Sequence, residues 1–209
     1  YERSLGGINM LEIKNGYKKF NGKYIFENYS IKFENGKIYG VTGKNGKGKT
    51  LLLKILCGYS VLTKGSVYQD TVKLRNKFNF IKNAGIVIEK PDFIENYTLY
   101  DNLNTIKMLS DNKDINLDFW IEFYDLFEHK DKKYKDLSLG TKQKVLIIQA
   151  FMTNPDILIL DECFNGLDEK SHTKTKEYLK NYINDNRLII LTSHIKDDIE
   201  ELCDEFIEL

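Results

Sequence analysis

Cysteine is scarce and unpatterned in this chain of 209 residues. Cys57, Cys163 and Cys203 are odd in number, scattered and free of metal-ligand spacing, which argues against a disulfide framework and fits a reducing compartment. Net charge is missing too: 31 basic residues balance 31 acidic ones, so no broad electrostatic field recommends nucleic acid as the main partner. There is no long hydrophobic run. The longest apolar stretches, such as Val145–Ile148 and Ile157–Leu160, are far too short to span a bilayer. No signal-peptide pattern opens the chain. These absences predict a cytosolic protein whose membrane role, if it has one, is supplied by a partner.

The hydrophobic fraction of 42% is ample for a packed core. Residues 1–9 differ in character from the rest of the chain. Met10 is expected to be the native start and the preceding segment an expression remnant, leaving 10–209 as one domain.

Leu11–Ile13 and Ile25–Phe33 carry alternating apolar positions broken by Asn21-Gly22 and Asn35-Gly36, the pattern of strands and turns. Ile38–Val41 is a short apolar strand, and a helical pattern from Lys49 to Cys57 stops at Gly58. Ala84–Ile88 is a further strand, and 98–136 reads as mostly helical. There Phe119, Phe123, Leu126 and Phe127 recur at helical spacing, with Trp120 beside them, and core packing is expected of the stripe. The last third alternates: a helix at about 138–153, the strand Ile157–Leu160, a helix at about 170–183, the strand Leu188–Leu191, and a helix from near Lys196. Such alternation predicts a parallel sheet covered by helices.

Gly43-Lys44-Asn45-Gly46-Lys47-Gly48-Lys49-Thr50, between a strand and a helix, matches the Walker A pattern. Gly43, Gly46 and Gly48, with Asn45 among them, let the backbone curl until its N–H groups converge on phosphate oxygens. The next helix adds its positive end. Lys49 can reach the terminal phosphates, and the Thr50 hydroxyl can ligate Mg²⁺.

Ile157–Leu160 runs into Asp161-Glu162, placing two acids at the C-terminal edge of a parallel strand, where such sheets bind ligands. Asp161 suits Mg²⁺, held directly or through a water. Glu162 would then orient or deprotonate the attacking water.

With these motifs the chain resembles the ATP-binding cassette family, because others come after them in that family's order. Leu137-Ser138-Leu139-Gly140-Thr141 looks like the LSGGQ signature, with Leu139 in place of the middle glycine and Thr141 in place of the glutamine. Ser138 is at the same time a good helix N-cap. Asn165-Gly166-Leu167-Asp168 resembles the D-loop, and His194 matches the switch histidine, which could stabilise developing negative charge. His129 and His172 have no such context and are expected on the surface. Phe20, or Tyr17 nearby, falls where the family stacks an aromatic on adenine. Glu89 stands where the family's Q-loop carries glutamine, and its carboxylate could ligate Mg²⁺.

The resemblance covers nearly the whole chain from about Leu11. It implies an α/β fold: a P-loop NTPase parallel-sheet core with an antiparallel β subdomain and a helical signature subdomain at about 90–140. It implies an ATPase in which ATP and Mg²⁺ lie between the Walker motifs of one subunit and Ser138, Gly140 and Asp168 of another. It implies a homodimer or paired ATPase subunit on ATP binding, an integral-membrane permease subunit as partner, and the inner face of the cell membrane as location. Export of a peptide or drug-like substrate is expected by analogy. A non-transport ATPase acting on DNA or ribosomes, and a regulatory ATP binder with little turnover, are the other two readings.

Overall fold

Two purely aliphatic segments set the frame. Ile157–Leu160 and Leu188–Leu191 are strands in which no residue is solvent-exposed. A strand can be apolar at every position only when both sheet faces are covered. In the computed structural model, which describes residues 10–75, 80–89 and 93–209, both faces are covered. The segment 1–9, expected to be a remnant, lies outside the described residues.

The chain begins with β1 (Leu11–Phe20), β2 (Lys23–Phe33) and β3 (Lys37–Thr42), followed by α1 (Lys49–Cys57). Then come β4 (Lys64–Gln69), β5 (Val72–Lys73) and β6 (Ala84–Val87). Helices α2 (Leu99–Leu109) and α3 (Leu117–Phe123) precede two 3-10 turns at Phe127–His129 and Tyr134–Asp136. The remainder alternates: α4 (Leu139–Phe151), β7 (Ile157–Leu160), α5 (Glu169–Tyr182), β8 (Leu188–Leu191), α6 (Lys196–Leu202) and β9 (Glu205–Glu208). One sheet is antiparallel with strand order β2-β1-β4-β5, and the other is parallel with order β6-β7-β8-β3-β9.

The two-residue period of the strands divides the core. Ile157, Ile159, Leu188 and Ile190 face α1 and the antiparallel sheet, packing with Leu52, Leu53, Leu11 and Phe33. Leu158, Leu160, Ile189 and Leu191 face the other way, toward the core that holds Leu103, Trp120, Ile147 and Leu179. The parallel strands therefore present their C-terminal ends, Thr42, Val87, Leu160 and Leu191, along one edge.

Two expectations change. The aromatic stripe forms only in part, because α3 ends at Phe123 and Asp125 turns the chain at φ 56°. Core packing holds for Trp120 and Leu126, with Phe123 against them, while Phe127 is 69% exposed and Phe119 is 48% exposed; Tyr124 fills a further core position. His129 and His172, expected on the surface, are both partly buried. The strands β4, β5 and β9 had no clear signal in the sequence. Among the described residues no helix is long and apolar enough to cross a membrane.

Candidate functional site

Thr42 ends β3, which lies between β8 and β9, and the chain turns at once into the glycine loop. Gly43 takes φ 139°, and a Cβ built there would lie 2.9 Å from the carbonyl oxygen of Leu209, so the loop can only begin on glycine. Gly48 closes the loop at φ 103° as the N-cap of α1; a Cβ there would meet Ile25 Cγ2 at 2.8 Å. Helix α1 then starts with the Lys49 side chain folded back, its Nζ donating to the Gly43 carbonyl at 2.8 Å. The ammonium thus sits inside the curl of the loop, where a phosphate would accept the same donor.

The strand end opposite carries the acids. Thr50 Oγ1 donates to Asp161 Oδ2 at 2.7 Å, bringing hydroxyl and carboxylate together from positions 111 residues apart. This short set of oxygen donors fits Mg²⁺, which is commonly held by one or two carboxylates plus substrate phosphates. Glu162 adopts φ 51°, in the left-handed region, a strain of order 1 kcal/mol for a side-chain-bearing residue. Its carboxylate meets His194 twice: Oε1 lies 3.1 Å from His194 Nε2, and Oε2 accepts from the His194 backbone N–H at 3.1 Å. Partial burial pushes the Glu162 carboxyl above its ordinary range; His194 and Lys49 oppose that rise, while Asp161 adds to it.

One hydroxyl that sequence reasoning missed holds both acids in register. Thr192 Oγ1 accepts from the Glu162 backbone N–H at 2.9 Å and donates to Asp161 Oδ1 at 2.7 Å, from a fully buried position just beyond β8. Its only sequence signal was a threonine two residues before His194. Thr192→Val is expected to cost about 1–3 kcal/mol, since it strands a buried donor and a carboxylate oxygen. Urea denaturation measures this, and an unchanged midpoint would contradict the role.

A cavity of about 450 Å³ lies over these groups, lined by Phe20, Asn45, Gly46, Gly48, Lys49, Thr50, Glu162 and His194. That volume suits a nucleotide-sized ligand. Phe20, expected against adenine, is 62% exposed at the end of β1 and flanks it. Lys54 also lines the cavity and was not foreseen.

Other expected residues lie elsewhere. Ser138 caps α4, accepting from the Thr141 N–H at 3.1 Å, and Asp168 caps α5, accepting from the Ser171 N–H at 2.9 Å. Gly140 packs against the D-loop backbone so closely that a Cβ would lie 2.9 Å from Gly166 O. Lys144 Nζ sits 2.7 Å from Asp168 Oδ2, and its hydrogen bond holds the Asp168 carboxyl well below the usual range. Ser138, Gly140 and Asp168 do not line the cavity. Nor does Glu89: its backbone turns at φ 57°, and its carboxylate pairs with Lys54 rather than with Thr50 or Asp161.

With this geometry in view, a family model described as ABC transporter matches residues 26–165. The chain is 38% identical over 203 residues to the ABC transporter ATP-binding protein YybJ of Bacillus subtilis, covering 96% of this chain and 92% of that protein. It is 31% identical over 198 residues to the bacitracin transport ATP-binding protein BcrA of Enterococcus faecalis, covering 93% of this chain and 64% of that protein. It is 29% identical over 195 residues to the lantibiotic transport ATP-binding protein SrtF of Streptococcus pyogenes, covering 93% and 84%. Among solved structures, an ATP-binding subunit of an ABC transporter superposes with a TM-score of 0.84 at 25% identity, covering 96% of this chain and 85% of that one. The dimeric ATP-binding cassette MJ0796, bound to ADP and Pi, superposes with a TM-score of 0.81 at 22% identity, covering 95% and 94%, which is a likeness of fold.

Proposed function

The chain belongs to the ABC transporter family as an ATP-binding subunit, and we propose that it hydrolyses ATP in a pair of subunits to drive a membrane exporter of peptide or drug-like substrates. The observation that carries the paired site is a division in space. Lys49, Thr50, Glu162 and His194 surround one cavity, while Ser138, Gly140 and Asp168 lie outside it. A second copy, or a paired ATPase subunit, would bring its own Ser138 and Gly140 to the open side. Export of peptide-like substrates draws support from the relatives named for bacitracin and lantibiotic transport.

In the proposed reaction a water oxygen attacks the γ-phosphorus in line, its proton passes to a Glu162 carboxylate oxygen, and the bond from phosphorus to the β-γ bridging oxygen breaks to release ADP. Lys49 neutralises charge on the terminal phosphates, and His194 donates to a γ-phosphate oxygen as charge builds. Thr50 and Asp161 are the residues that would hold Mg²⁺, which when bound would supply further charge neutralisation. Phe20 offers an exposed ring for adenine. The segment that holds α2 and α3 serves as the lobe that passes motion to a permease at the inner face of the membrane.

ATP turnover with Mg²⁺ across a series of protein concentrations tests the pairing. Specific activity is expected to rise with concentration. Constant specific activity down to concentrations where the chain is monomeric would place a complete site in one copy and end the paired reading.

A further inference from the structure

Behind the loop that carries His194, a carboxylate is buried. Asp198, in the first turn of α6, has 1% of its side chain exposed, a rare place for aspartate unless it is paired. Groups from two other segments converge on it. Ser193 Oγ donates to Oδ2 at 3.1 Å and Lys176 Nζ pairs with Oδ1 at 3.4 Å, while His172 Nε2 lies 2.9 Å from Oδ1 without hydrogen-bond geometry. His172 and Lys176 stand four residues apart on α5 and so face the same way.

Each of these groups is tied onward. Ser193 Oγ also accepts from the Ile195 N–H at 3.0 Å, closing a turn around His194. The His172 ring packs on Phe164, with centroids 4.9 Å apart, and its backbone N–H donates to Asp168 O at 2.8 Å. Lys176 pairs with Glu201 at 2.6 Å. One carboxylate is thus shared between the loop that presents His194 to Glu162 and the helix that begins at Asp168.

We propose that Asp198 is a positioning residue for ATP hydrolysis: through Ser193 it fixes the loop carrying His194, and through its ion pair with Lys176, with the His172 ring packed alongside, it makes that loop and α5 move as one body. The inference rests on the reading that His194 and Glu162 act on bound ATP. Asp198 does not line the nucleotide cavity, so its effect falls on the rate of hydrolysis rather than on ATP affinity. A carboxylate that touches both segments couples any shift of the Asp168 helix, at the face proposed for the second subunit, to the placement of His194.

The test measures kcat and KM for ATP, with binding of a fluorescent ATP analogue, in Ser193→Ala, Ser193→Thr, Asp198→Asn and His194→Ala. Ser193→Ala is expected to lose about tenfold in kcat, consistent with sub-ångström misplacement of a catalytic group, with KM and analogue binding unchanged. Ser193→Thr keeps the hydroxyl and should restore the rate, while Asp198→Asn should reproduce the loss. Should Asp198→Asn fail to fold, the Ser193 pair decides alone. Full kcat in Ser193→Ala beside a slow His194→Ala would overturn this inference only. A His194→Ala variant at full rate would overturn the catalytic reading on which it rests. Parallel loss of kcat and binding in both Ser193 variants would mean a merely structural role.

Discussion

Glu162→Gln is expected to lower ATP turnover by about a hundredfold or more while leaving ATP binding intact, since general-base contributions run from about 10² to 10⁴. The substitution keeps the side chain's shape and removes only its ability to take the water's proton. It should not weaken the fold. The carboxylate is partly buried against its own charge, so folding raises its pKa above the ordinary 4.5. An acid whose pKa rises on folding disfavours the folded state above that raised value and stops doing so as pH falls through it. At neutral pH the glutamine variant is therefore expected to be at least as heat-stable as the parent.

The same shift sets the pH profile. Glu162 is a base only when ionised, so the acid limb of kcat/KM, which reports the free enzyme, should be displaced upward from that of an ordinary glutamate. The limb should vanish from the residual activity of the variant. Unchanged turnover in Glu162→Gln would show that another group takes the proton.

Lys49→Ala is expected to fail one step earlier. The buried Lys49 ammonium donates to Gly43 O inside the phosphate loop, already aimed where the terminal phosphates would lie. A hydrogen bond to a charged group is worth about 1.5–3 kcal/mol, so its loss should weaken ATP binding by roughly 10- to 150-fold. The rise in melting temperature that ATP with Mg²⁺ confers should shrink accordingly. Alanine is the best helix former, so α1 should still start in place. Equal ATP affinity in parent and variant would remove Lys49 from the phosphate site. The two variants separate binding from chemistry: one should hold ATP without cleaving it, and the other should scarcely hold it.

Legibility in the sequence followed the strength of local signals. The helix Lys49–Cys57 and the strands Ile157–Leu160 and Leu188–Leu191 lie where the pattern places them, because continuous aliphatic runs and glycine stops leave few alternatives. Asp161, Glu162 and His194 lie just beyond strand ends, and Lys49 and Thr50 open the helix that follows β3; the parallel sheet draws all five to one edge, so motif order was enough to group them. β9 went unseen because its residues Glu205-Phe206-Ile207-Glu208 are half polar, and only pairing with β3 makes them a strand. Phe127 misled because spacing says nothing of the turn at Asp125, which puts it beyond α3, and Phe119 because Trp120, its neighbour on the same helix, faces the core in its place. Thr192 and Asp198 were invisible for a different reason. Thr192 works through partners 30 and 31 residues away, and Asp198 joins Ser193 on its own segment to Lys176 on α5; such contacts exist only once the strands and helices have packed.

The central claim, a site completed by two chains, can be tested by mixing two inactive proteins. Glu162→Gln keeps an intact Ser138–Gly140 loop, and Gly140→Arg keeps an intact cavity but loses the loop's close approach to Gly166. Each alone is expected to be nearly inert. Mixed together, they should form pairs with one whole site and regain turnover. Gly140→Arg with full activity alone, or a mixture of the two as inert as its parts at every ratio, would contradict the claim.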